Sequence, residues 1–293
     1  MEQRKKGYLY LFPTFFIWGS LYIFSKYAME AVPPITVLLI RYLLSIAVLA
    51  FIFKKQGGAK LQKSHLKYFL LIGGLGYFLS ITFQLVGTKL LDASLSSLIN
   101  AMNPVSISIL AVIFLKEKMS APKVVSIILS ILGVYVILGV GGQGISIAGV
   151  ACAVASVLLW STASIIIRKI ADEYTPIQIA LYSMITALIF NIPASIWELQ
   201  KEPCHFTVPA VLSLLYLGIV CTAVAHTLWN RSLQLLDAST CSMFYPLQPL
   251  TSAVMGVLLL HEKITSNFIA GSVIICAGIL IAVWADKKKQ NEG

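Results

Sequence analysis

One stretch of the chain occurs twice. Residues 91–118, LDASLSSLINAMNPVSISILAVIFLKEK, return at 236–263 as LDASTCSMFYPLQPLTSAVMGVLLLHEK, without a gap and at a constant offset of 145. Leu91, Asp92, Ala93, Ser94, Ser97, Pro104, Val112, Leu115, Glu117 and Lys118 recur identically as Leu236, Asp237, Ala238, Ser239, Ser242, Pro249, Val257, Leu260, Glu262 and Lys263. Each copy is an apolar run with an acidic entry, a proline near its middle and a Glu-Lys exit. This pattern predicts a membrane-crossing helix with a built-in weak point, and its duplication predicts a protein of two related halves.

Composition agrees. The chain is 58% hydrophobic and 12% charged, with a mean hydropathy of +0.86, whereas soluble domains carry about 25% charged residues. Apolar stretches near 8–29, 34–53, 67–88, 92–115, 120–140, 146–168, 176–197, 209–230, 237–260 and 265–284 are each close to the roughly 20 residues that cross a bilayer. The expected fold is therefore all-α and integral to the membrane, with ten spans. The first run follows Arg4, Lys5 and Lys6 as a signal peptide would, but it is long and has no Ala-x-Ala cleavage site, so it is read as a span.

The net charge of +10 sets orientation rather than nucleic-acid binding, because the basic residues sit in short loops. With the N-terminus inside, the inner segments hold 17 of the 22 Lys and Arg and the outer segments four, with Arg41 inside a span. Both termini are thus expected in the cytoplasm, and the protein in the cell membrane. Five spans per half is an odd number, so the second half, residues 143–293, enters the membrane opposite to the first, residues 1–142. Inverted repeats around a midplane cavity are the architecture of secondary transporters. Further echoes extend the duplication: Trp18 and Pro34 align with Trp160 and Pro176 at an offset of 142, and Gly73 and Gly133 with Gly218 and Gly278 at 145.

Ten spans in two halves, the proline and Glu-Lys exit of spans 4 and 9, Trp18-Gly19 in span 1 and Arg41 in span 2 resemble the drug/metabolite transporter superfamily, specifically its EamA-type exporters. The resemblance covers nearly the whole chain. It implies a cavity lined by spans 1, 3, 4, 6, 8 and 9, peripheral spans 5 and 10, and export of amino acids or similar small metabolites. The second half lacks a counterpart of Arg41 and has Trp160-Ser161 in place of Trp18-Gly19, which implies an asymmetric site.

Helical spacing nominates the substrate-facing residues. Ser96, Asn100, Asn103 and Ile107 share one face of span 4, and Cys241, Tyr245, Gln248 and Ser252 the matching face of span 9. Amides in hydrocarbon must find another helix or a wet cavity. Pro104 and Pro249 each free the carbonyl four residues earlier, at Asn100 and Tyr245. Arg41 is a cation well inside a span with no deep acid to pair with it, so it snorkels, bonds helix-end carbonyls or binds an anionic substrate group. Trp18, Tyr22 and Trp160 are cavity-wall candidates, and Gln84 and His226 add polar atoms; the bland alternative for each is packing. Lys26 and Arg168, near span ends, read as interfacial anchors.

No cofactor or metal is expected, since the five cysteines have neither disulfide nor zinc spacing. The expected partners are a small-molecule substrate and the lipid bilayer, with no nucleic acid, and the working unit is a monomer. An enzyme is disfavoured because no carboxylate pair, His-Glu-x-x-His helix or supported Ser–His dyad is present, and a passive channel is the stronger alternative. All twelve acidic residues lie at termini, loops or span ends, which predicts facilitated diffusion or exchange rather than proton coupling, with His226 the exception to test.

Overall fold

The computed structural model describes residues 2–58, 60–107, 110, 121–138, 145–236, 238, 241, 244–245 and 247–292. They form helices joined by short connections, with no strand among the described residues. In chain order these are α1 (Glu2–Met29), α2 (Pro34–Gln56), α3 (Lys63–Leu90), α4 (Ala93–Asn100), α5 (Ala121–Leu138), α6 (Ile147–Ile170), α7 (Pro176–Leu199), α8 (Val208–Leu235), α9 (Leu247–Leu260) and α10 (Ser266–Glu292). Six of them, α1, α2, α3, α6, α7 and α8, are long and apolar enough to cross a membrane. Large apolar side chains such as Leu9, Phe12, Phe51, Ile189 and Val273 point outward. Such a girdle suits a lipid surface and would be costly in water.

In lipid the apolar faces gain nothing by meeting each other, so close packing and hydrogen bonds must hold the helices together. Many hydroxyls bond the carbonyl one turn back in their own helix, as Thr14 does to Tyr10 O at 2.7 Å and Thr227 to Ala223 O at 2.7 Å, which hides their polarity. Others cross between helices: Ser45 Oγ donates to Gly218 O at 2.6 Å and Thr186 Oγ1 to Phe69 O at 2.8 Å. Glycine permits two of the closest approaches. A Cβ at Gly218 would lie 2.8 Å from the Leu44 side chain on α2, and one at Gly73 would lie 2.8 Å from Ser183 O on α7.

Helix partners come in mated sets. If α1 to α5 are matched with α6 to α10, then α1 packing on α8 is mated by α6 packing on α3, α2 on α8 by α7 on α3, and α1 on α9 by α6 on α4. The pairs α2–α7, α4–α9 and α5–α10 are their own mates. Both α3 and α8 widen into π-helical turns, at Ile72–Ser80 and Leu217–Val224, which begin 145 residues apart (217 − 72). π-Helical turns are rare and concentrate at functional sites.

Two helix N-termini are closed by glutamates from the other half. Glu198, at the end of α7, accepts from Ile35 N at 3.0 Å, Thr36 N at 2.7 Å and Thr36 Oγ1 at 2.8 Å at the start of α2. Glu262, just beyond α9, accepts from Ala93 N at 2.6 Å and Ser94 N at 3.2 Å, and also from the Ser94 hydroxyl, at the start of α4. A carboxylate there satisfies orphan amides and meets the positive end of the helix dipole. Glu117, the sequence counterpart of Glu262, lies outside the described residues, as does Ser239, the counterpart of Ser94.

Candidate substrate chamber

Both proline-bearing runs break where their polar faces lie. After Asn100 the helix passes through a turn at Ala101–Met102 and resumes at Asn103; in the second copy a turn occupies Phe244–Tyr245 and helix resumes at Leu247. The Asn100 carbonyl, which loses its helical donor to Pro104, accepts instead from Asn103 Nδ2 at 2.6 Å. The Tyr245 carbonyl opposite Pro249 accepts from Gln248 N, three residues on, at 3.0 Å. Each break is thus repaired locally, and the repairs turn the Asn100 and Tyr245 side chains inward.

They face a chamber lined from the first half by Trp18, Tyr22, Arg41, Gln84 and Asn100 and from the second by Trp160, His226, Tyr245 and Gln248. All nine were nominated as substrate-facing, whereas Ser96, Ile107, Cys241 and Ser252, the other members of the two helical faces, do not line it. Asn103 stands one layer behind, its Oδ1 accepting from Ser161 Oγ at 2.8 Å while its amide holds Asn100. Leu21, Ser80, Ile81 and Ser156 complete the wall. Ser80 is the one of these with a readable signal, since it closes the Gly-rich run IGGLGYFLS that becomes the π-helical turn of α3. It donates to Ser156 O at 2.9 Å, joining α3 to α6.

Aromatic rings form the frame. The rings of Trp18 and Trp160 meet edge to face with centroids 6.0 Å apart, and His226 lies between them and Tyr77 at 5.3, 5.4 and 5.1 Å. The indole N–H of Trp18 donates to Cys221 O at 3.2 Å, and that of Trp160 to Tyr245 Oη at 2.8 Å. Anchored indoles cannot swing freely, so the walls are preorganised. Gln84 Nε2 donates to Tyr22 Oη at 3.1 Å.

Arg41 is fully buried. Its Nε and Nη2 both donate to Thr222 Oγ1 at 3.1 Å, and its Nη1 has no partner. Thr222 itself donates to Leu217 O, five residues back, at 2.6 Å. That bond belongs to the π-helical turn of α8, so the turn aims a hydroxyl at the guanidinium. His226 Nδ1 lies 3.0 Å from Thr222 O, a carbonyl that only accepts, so Nδ1 carries the proton and Nε2 presents a lone pair without a partner. Gln84 Oε1 and Gln248 Oε1 are likewise buried and unpartnered. Unsatisfied buried polar atoms are expensive, and four of the thirteen found among the described residues, those of Arg41, Gln84, His226 and Gln248, share this one wall, where a polar guest can meet them.

Among the described residues no cluster of His, Cys, Asp and Glu could hold a metal, and no carboxylate lines the chamber. The cavity volume is about 30 Å³. One water needs about 10–15 Å³ on this measure, so the chamber has room for about two waters, a narrow space between its polar atoms.

The sequence profile of the EamA-like transporter family matches the chain twice, over residues 5–139 and 147–284. An uncharacterized transporter of Bacillus subtilis (strain 168), YoaV, is 25% identical over 94% of this chain and 95% of its own. A probable amino-acid metabolite efflux pump of Salmonella typhimurium (strain LT2) is 27% identical over 98% of each chain. One solved crystal structure, 19% identical, superposes with a TM-score of 0.71 over 97% of this chain and 98% of its own, which fixes the fold alone. With both halves matched, the chain belongs to the EamA-like transporter family, whose members are multi-pass membrane proteins of the drug/metabolite transporter superfamily.

Proposed function

We propose that the protein is a secondary transporter that exports amino acids or similar small metabolites across the cytoplasmic membrane by alternating access, working as a monomer. In this reading ten spans form two inverted five-helix repeats, residues 1–142 and 143–293, with both termini in the cytoplasm. The mated helix pairings and the matched π-helical turns support the repeat. The observation that carries the function is the narrow polar chamber at the seam between the halves, lined from both of them. A site too small for any metabolite must open to admit one, and two pseudo-symmetric halves provide two equivalent ways to open. Export rather than import follows the Salmonella relative's name.

Flux through purified protein in proteoliposomes tests the reading. A carrier gives saturable uptake and counterflow, in which unlabelled solute on one side drives labelled solute transiently uphill from the other. Linear, non-saturating flux without counterflow would establish a channel instead.

A further inference from the structure

Among the described residues the chamber holds one permanent charge, Arg41, and no carboxylate to cancel it. Arg41 is fully buried, two of its nitrogens rest on a neutral hydroxyl, and the third, Nη1, has no partner. Arginine does not lose its proton in proteins, and transferring an unpaired ion into a low-dielectric interior is among the largest costs a fold can carry. The other unpartnered atoms on residues lining the chamber, Gln84 Oε1, Gln248 Oε1 and His226 Nε2, are neutral acceptors. The one charged vacancy is therefore a cationic donor, set beside neutral acceptors and the Tyr22 and Tyr245 hydroxyls, between indole walls.

Charge bookkeeping decides among guests. A zwitterionic amino acid would neutralise Arg41 with its carboxylate but bring an ammonium that meets no carboxylate, leaving one net positive charge enclosed. A monoanion leaves none. We infer that the physiological substrate is a small organic monoanion, a carboxylate with an apolar or aromatic body and a neutral donor such as a hydroxyl or amide N–H, and that each turnover moves one negative charge across the membrane. The carboxylate sits end-on at Arg41 Nη1, while Thr222 holds the guanidinium in place. The apolar body lies against Trp18 and Trp160, and the neutral donor takes one of the free acceptors. A membrane potential that is negative inside then drives export by itself, which supplies an energy source without any membrane-embedded acid.

This inference rests on the carrier reading above, and one experiment separates the two. Purified protein in proteoliposomes is offered matched radiolabelled pairs, phenylalanine with N-acetylphenylalanine and 3-phenyllactate, and leucine with N-acetylleucine, while valinomycin and potassium gradients set the potential. The expected result is uptake of the acylated or hydroxy acids that reverses direction with the sign of the potential, approaching an accumulation ratio of about 50-fold at 100 mV. Arg41→Gln should raise the KM for those anions by about tenfold or more, and Arg41→Lys should recover part of the loss. Quenching of tryptophan fluorescence by N-acetylphenylalanine, present in the wild type and absent in Arg41→Gln, reads binding apart from turnover. Saturable, potential-independent transport of the free amino acids alone would overturn the anion assignment and leave the carrier reading intact. Transport of no member of either pair would overturn both.

Discussion

Removing the charge of Glu262 should unlatch one end of the chamber. Its carboxylate joins α9 to the first turn of α4 through three donors, Ala93 N, Ser94 N and the Ser94 hydroxyl. Glu262→Gln keeps one carbonyl oxygen but replaces the other with an NH₂ that faces donors. A charged acceptor is worth about 1 kcal/mol more per hydrogen bond than a neutral one, so three bonds give about 3 kcal/mol. Glu262 is only partly buried, and discounting for solvent screening leaves about 2 kcal/mol, or roughly 30-fold in the closed-to-open equilibrium. In the proposed topology this end faces outside the cell. The assay is alkylation of Asn100→Cys, in a background without the five native cysteines, by a membrane-impermeant maleimide added externally. Glu262→Gln should speed labelling by roughly the same 30-fold. Gly256→Ala is the independent variant, because a Cβ there would lie 2.8 Å from Ser94 Oγ and crowd the same carboxylate. Labelling within twofold of the parent in both variants would refute the latch.

Arg41→Met should stabilise the fold by about 1–4 kcal/mol, because it removes an uncompensated buried charge of similar bulk while Thr222 keeps its bond to Leu217 O; thermal unfolding in detergent checks this, and a lowered Tm would contradict it. His261, with φ 54°, is the only non-glycine of positive φ among the described residues, and its turn brings Glu262 N within 3.1 Å of Gly256 O. His261→Val should therefore cost about 1–2 kcal/mol and loosen the latch, while His261→Gly should be near neutral; the same melts and labelling rates decide it. Lys60→Cys should resist an impermeant maleimide in intact cells and react after permeabilisation, since the loop at 54–66 is placed in the cytoplasm; rapid labelling in intact cells would reverse the topology.

The chamber was legible in the sequence to the extent that ordinary helical geometry governs it. Asn100 and Tyr245 hold corresponding places in the duplicated stretch, and spacing of three and four residues puts each on a polar face. Thr222 was not legible, because its role depends on a π-helical turn that shifts the register and lets its hydroxyl reach Leu217 O, five residues back. For the same reason the contact of Arg41 with a neutral hydroxyl one helix away has no signal in the sequence. Glu262 read as the polar boundary of a span. Its reach to α4 depends on the left-handed turn at His261, and nothing in the local residue pattern announces that turn.

Alternating access asks a protein for two properties that pull apart. The scaffold must be nearly symmetric, so that the two closed ends have similar energies and either can open, whereas a site with one substrate must be asymmetric to recognise it. Here the two demands fall on different residues. Helix pairings, π-helical turns and proline breaks come in mates, and the latch residues Glu262 and Ser94 have sequence counterparts in Glu117 and Ser239. The chamber residues break the pattern: Asn100 is matched by Tyr245, and Arg41 has no basic counterpart in the second half. Changes at the mated positions should shift the balance between the two open forms and alter rate with little effect on selectivity. Changes at Arg41, Gln84 or Gln248 should alter selectivity and leave that balance nearly where it was.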